Sequence, residues 1–135
     1  MIKLITGKKG TGKTKVLIDM INDAAKNTSG NIVCIEKGAK LTYDIDHSVR
    51  LTDTEHYGID GYNAFYGFVA GMFAGNFDIS EVFVDSILKI GGRDYAELGT
   101  LLQKLEKISG DEIKIVFTVS ADESELPDSV KAFIK

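Results

Sequence analysis

Gly7-Lys8-Lys9-Gly10-Thr11-Gly12-Lys13-Thr14 decides how the rest of the chain is read. The stretch fits the spacing G-x-x-x-x-G-K-[ST], in which a glycine-rich turn cradles phosphate. Before it, Ile2-Lys3-Leu4-Ile5-Thr6 is short, apolar and β-prone. After it, Val16, Leu17, Met20, Ile21 and Ala24 recur at helical spacing, so the turn joins a strand to a helix. Three glycines let the backbone curl and bring successive N–H groups up to an anion. The helix that follows aims its partial positive charge at the same place. At this spacing Lys13 reaches the β- and γ-phosphates of a nucleotide, and the Thr14 hydroxyl is placed to ligate magnesium.

A second element supports that chemistry. Glu81-Val82-Phe83-Val84-Asp85-Ser86 reads as a buried strand ending in a carboxylate, about seventy residues beyond the glycine-rich turn. With these two elements the chain resembles the P-loop NTPase superfamily, the turn matching Walker A and the Asp85 strand Walker B. The resemblance implies that Gly7, Lys8, Lys9, Gly10, Thr11, Gly12, Lys13 and Thr14 hold the phosphates. It also implies that Thr14 and Asp85 share Mg2+.

The branch is narrowed by what surrounds the motifs. The Asn-Lys-x-Asp signature of GTPases is absent, and Asp85-Ser86-Ile87-Leu88 lacks their Asp-x-x-Gly, which favours ATP as the nucleotide. AAA+ and ABC proteins carry a glutamate beside the Walker B aspartate, where this chain has Ser86. Ile32-Val33-Cys34-Ile35-Glu36 instead is similar to the RecA-like strand that ends in a catalytic glutamate. By that resemblance Lys13 and Glu36 are the catalytic pair, with Glu36 activating water. Thr118, ending the last strand, resembles the position that senses the γ-phosphate. RecA-like proteins place the final strand between the first and the Walker B strand; kinases and GTPases place it outside.

Composition bounds the alternatives. The 135 residues make one domain, 1–135, with 44% hydrophobic and 27% charged residues, ordinary for a globular protein. A net charge of −4 and a pI near 5.1 argue against general nucleic-acid binding, which needs a basic field. Lys3, Lys8, Lys9, Lys13 and Lys15 nevertheless gather around the turn. Cys34 is the only cysteine, so no disulfide or metal set is built from it, and it reads as a small buried hydrophobe. His47 and His56 have no matching Cys or His pair. The first residues run straight into the turn, leaving no room for a leader, which implies a cytoplasmic protein.

The remaining chain alternates β and α patterns. Ile32–Ile35 is apolar on both faces, as a central parallel strand should be. Leu41–Tyr43 and Val49–Thr52 are β-prone and predict a small hairpin or an extra edge strand. Gly61–Phe77 carries no charge and is too short and polar to span a membrane, which takes ~20 apolar residues. Its Gly67, Gly71 and Gly75 form a smooth helical stripe, predicting close approach to the sheet or to a homo-oligomer or protein partner. Ile90–Arg93 reads as a flexible connection, Asp94–Ile108 as a helix, Ile113–Val119 as the last strand, and Pro127 as the start of a short helix. The expected fold is a three-layer α/β/α sandwich with a mainly parallel sheet. Ligands then bind beyond the carboxyl ends of the strands. Arg50 and Arg93 are the only arginines, and Arg93, close after Asp85, is the better placed to stabilise transition-state charge across a subunit contact. Three functions are consistent with these residues: a magnesium-dependent RecA-like ATPase, a nucleotide-binding switch or adaptor with little hydrolysis, and a small-molecule kinase.

Overall fold

The computed structural model describes residues 1–134. Five strands, β1 (Ile2–Thr6), β2 (Asn31–Glu36), β3 (Arg50–Asp53), β4 (Ile79–Val84) and β5 (Lys114–Val119), form one sheet in the order β1-β5-β4-β2-β3. Every pairing is parallel. The last strand therefore lies between the first and the one that ends at Asp85.

Helix α1 (Lys13–Asn27) links β1 to β2, α2 (Tyr62–Gly75) precedes β4, and α3 (Ile87–Gly91) and α4 (Tyr95–Ser109) join β4 to β5. A short α5 (Asp128–Lys131) follows Pro127.

Both faces of the sheet are covered, which explains the unbroken apolar runs in its inner strands. Along β2, Ile32 and Cys34 join Leu17, Ile21 and Ala24 of α1 in one cluster. Val33 and Ile35 point the other way, into the larger cluster with Phe65 and Val69 of α2 and Leu98, Leu102 and Leu105 of α4. This alternation is the strand period of two displayed against two cores. The outer edge of β1 is partly covered by the chain end: Leu4 N–H donates to the Phe133 carbonyl at 3.3 Å, and Leu4 bridges Ile134. Met1–Thr6 is thereby held on both sides.

Two expectations need correction, and one is narrowed. Of the hairpin or extra edge strand expected in residues 39–56, the edge strand is the one formed. Arg50–Asp53 is an edge strand parallel to β2, and a parallel partner needs a crossover rather than a tight turn. Leu41, Ile45 and Val49 of the crossing segment are buried against α1, and Asn22 clamps it, donating to the Asp44 carbonyl and accepting from Asp46 N–H. Ile90–Arg93 is not a loose connection. Ile90 and Gly91 complete α3, the Tyr62 hydroxyl donates to the Gly92 carbonyl at 2.6 Å, and Gly61 N–H donates to that of Ile90.

The glycine stripe of α2 does not meet the sheet. Tyr62, Phe65 and Val69 make that contact, while Gly67, Gly71 and Gly75 are exposed, with no atom within 4 Å of the place a Cβ would take. Large side chains win the inward face because burying one is worth about 1.5–3 kcal/mol. Among the described residues no helix is long and apolar enough to cross a membrane.

This orientation sets opposite signs for two kinds of substitution in α2. Gly67→Ala and Gly71→Ala are each expected to stabilise by about 0.5–1 kcal/mol, since they remove backbone freedom without a clash. Phe65→Ala is expected to cost about 3–5 kcal/mol. Urea denaturation distinguishes the two, and a loss of stability in Gly71→Ala would mean that face packs against something.

Candidate functional site

The turn between β1 and α1 adopts its shape through its glycines. Gly7, Gly10 and Gly12 have φ of 151°, 86° and 86°, a region costly for residues with a Cβ. A Cβ on Gly7 would also lie 2.7 Å from Thr11 Oγ1. The turn is closed internally: Thr11 Oγ1 donates to the Lys8 carbonyl at 2.8 Å, and Lys13 Nζ donates to the same oxygen at 2.9 Å. Gly7 N–H donates to the Ala121 carbonyl, tying the turn to the segment after β5. Helix α1 begins here with no side-chain cap and no acidic residue in its first turn. Its first N–H groups have no partner within the helix. By contrast, α4 is capped by Asp94, which accepts from Glu97 N–H.

Beside the turn opens a cleft of about 710 Å³. Lys8, Lys9 and Lys13 of the turn line it together with Lys89 and Arg93, and Glu125 is its one acidic lining residue. A chain of net charge −4 thus concentrates cations at one cleft, the arrangement that attracts a polyanion. Arg93 arrives from the same chain, donating to the Ser120 carbonyl at 3.3 Å. It does not require a second subunit to reach the cleft. Arg50 lies elsewhere, beside Tyr57.

Where Thr14 and Ser86 line the cleft, residues far apart in sequence converge. Thr14 Oγ1 lies 3.2 Å from Asp85 Oδ1 and 3.4 Å from Oδ2. Two neighbouring ligands of an octahedral magnesium at about 2.1 Å stand about 3 Å apart, so this pair has the spacing and the hard oxygen donors such an ion takes. Among the described residues no three His, Cys, Asp or Glu side chains gather into a metal cage. Two protein oxygens completed by phosphates and water is the usual way magnesium is held.

Lys13 and Glu36 are both buried, at 8% and 3% exposure, and burial moves each toward its neutral form. For Lys13, desolvation lowers the ammonium's pKa and the Asp85 carboxylate opposes it. For Glu36, desolvation raises the carboxyl's pKa against the N–H groups of Leu41 and Lys40, while the Asp85 and Asp53 carboxylates raise it further. The Leu41 N–H donates to Glu36 Oε2 at 3.0 Å. Glu36 is therefore next to Asp85 in the field of the site but turned to the segment that follows β2, and it does not line the cleft.

Thr118 is buried, and its hydroxyl is engaged by Asp85 and by Ser86 N–H. Cys34 is buried and its thiol pushed well up by desolvation and by the nearby Glu36 and Asp85, which leaves it unreactive.

Residues that sequence reasoning passed over complete the site. Lys89 carried no motif. Glu125 carried one in retrospect: Asp122 and Glu125 form a capping box around a single 3-10 turn, the D-x-x-E spacing of a helix start. Comparison with protein-family models and with curated proteins returned no match.

The Glu36 environment sets a pH dependence. With its folded pKa raised above the unfolded value of about 4.3, the native state holds the proton longer, so this group's contribution to stability falls as pH rises through that window. Glu36→Gln keeps an acceptor for Leu41 N–H and removes the buried charge. The stability of wild type relative to this variant is expected to decline from about pH 4.3 upward. Thermal unfolding across pH measures it, and a flat difference would contradict the burial of an ionisable carboxyl at this position.

Proposed function

We propose that the chain binds ATP together with magnesium in the cleft beside Gly7–Thr14 and belongs, by its chemistry, with the RecA-like P-loop ATPases. The observation that carries this reading is the meeting of Thr14 with Asp85, 71 residues apart, at 3.2 Å, with Thr14 lining a cation-rich cleft. A strand order with β5 between β1 and β4 supports the RecA-like branch over the kinase branch. A kinase also needs a lid over the phosphates, and residues 39–56 do not line the cleft, with Leu41, Ile45 and Val49 packed in the α1 cluster.

In this reading the N–H groups of Gly10–Thr14 and the start of α1 hold the phosphates. Lys13 exchanges the Lys8 carbonyl for phosphate oxygens, and Arg93 approaches within the same chain. Thr14 and Asp85 hold the metal, which neutralises charge on the β- and γ-oxygens when bound. Glu36 takes the proton of the attacking water. Its carboxylate keeps free lone pairs beside the bond it accepts from Leu41 N–H, but it does not line the cleft, so hydrolysis in this reading needs Glu36 to turn toward the bound nucleotide.

That same bond favours a second reading. While Glu36 remains tied to Leu41, the protein holds nucleotide without cutting it, as a switch or adaptor does.

Lys13→Ala is expected to lower ATP affinity about 10- to 100-fold, the worth of hydrogen bonds between charged groups. Glu36→Gln is expected to keep ATP binding and lower phosphate release by about 100-fold or more. Titration calorimetry and a phosphate-release assay measure these. Unchanged binding in Lys13→Ala would sink the phosphate assignment. Tight binding with equal background release in wild type and Glu36→Gln would select the switch reading.

A further inference from the structure

Thr118 is the penultimate residue of β5, and its side chain is 1% exposed. Its hydroxyl has one proton to give and two lone pairs to offer. The proton goes to Asp85 Oδ1 at 2.8 Å. One lone pair receives the Ser86 N–H at 2.7 Å. A phosphate oxygen needs a donor, and this hydroxyl has none left while it serves Asp85.

The bonds act on one peptide and its carboxylate together. Asp85 N–H donates across to the Ile35 carbonyl of β2 at 2.9 Å, fixing the backbone from one side. Ser86 then turns with φ of 57°, the only positive value among the described residues other than glycine. That left-handed turn directs its N–H at Thr118 on the opposite neighbouring strand. The side chain of Asp85 is consequently held through Oδ1, by Thr118 at 2.8 Å and by Thr14 at 3.2 Å. Oδ2 has Thr14 alone, at 3.4 Å.

We propose that Thr118 is a positioning residue for Asp85. Its hydroxyl locks Oδ1 and the Ser86 peptide so that Oδ2 is presented, pre-set, to a divalent cation beside Thr14. The inference rests on the phosphate-binding reading above and assigns Thr118 a role different from that of a γ-phosphate sensor. A sensor distinguishes tri- from diphosphate. A positioner of the metal ligand affects both nucleotides, and only when the metal is present.

The test compares wild type, Thr118→Val, Thr118→Ser and Asp85→Asn, using fluorescent ATP and ADP analogues with and without magnesium. Thr118→Val is expected to weaken magnesium-dependent binding of both nucleotides by about 10- to 100-fold, as loss of a group orienting a metal ligand does. Metal-free binding is expected to stay unchanged, and Thr118→Ser to restore the affinity. In an Asp85→Asn background the valine is expected to add no further loss, because the two residues act as a unit. Amide exchange supplies a readout without nucleotide: Ser86 N–H loses protection in Thr118→Val and keeps it in Thr118→Ser. A loss confined to ATP and indifferent to magnesium, or a serine variant as weak as the valine one, would overturn the inference. So would unchanged Ser86 protection. Wild-type protein that binds no nucleotide overturns the phosphate reading and this one with it, whereas nucleotide binding that Thr118→Val leaves unchanged overturns this one alone.

Discussion

Parallel pairing gathers the carboxyl ends of β1, β2, β4 and β5 at one edge of the sheet, and the cleft depends on that constraint. Each strand delivers its next residue to the same place: Gly7 from β1, Glu36 at the end of β2, Asp85 from β4, and Thr118 with Ser120 from β5. An antiparallel strand at any of these positions would send its terminal residue to the opposite edge. The inner strands are tolerated in this arrangement because both their faces are buried, and the helices that bury them supply the crossovers that parallel strands need.

Burial then sets the electrostatics of what has been gathered. Lys13, Glu36 and Asp85 lie close together at an edge where water is partly excluded, and the protein satisfies them locally. The Lys8 carbonyl receives Lys13, the Leu41 N–H serves Glu36, and Thr14 with Thr118 serves Asp85. For Glu36 the N–H groups of Leu41 and Lys40 do not outweigh desolvation, so the neutral form gains ground. For Lys13 the result has the same sense despite a carboxylate neighbour. Groups whose charge is this poorly solvated respond strongly when an ion or phosphate is added beside them.

Much of the site was legible from residue order. Gly7–Thr14 predicts its turn because only glycine adopts those positive φ values without cost, and the helix start follows from the periodicity of α1. Asp85 stood out as a charge ending an apolar run. For residues 39–56 the pattern left a hairpin and an extra edge strand open, and the edge strand formed: Leu41, Ile45 and Val49 are apolar because they cover α1, and pattern alone does not say which surface an apolar residue covers. The expected contact of the glycine stripe with the sheet is absent for the same reason, since spacing marks a face of a helix without saying which way that face turns. Thr118 was singled out at its strand end, but whether its hydroxyl meets a ligand or a neighbouring carboxylate depends on a strand 33 residues away.

The sequence by itself determined the local elements: the glycine-rich turn, the alternation of strand and helix, the carboxylates at strand ends and the doubly buried inner strands. These follow from backbone sterics and hydrophobic period, which act over a few residues. Tertiary structure alone decided the strand order, the partnership of Asp85 with Thr14 and Thr118, the turning of Glu36 toward Leu41, and the exposure of the α2 glycines. Those outcomes are set by which elements compete for the same core and which polar groups are buried side by side, and both depend on contacts between residues remote in the chain.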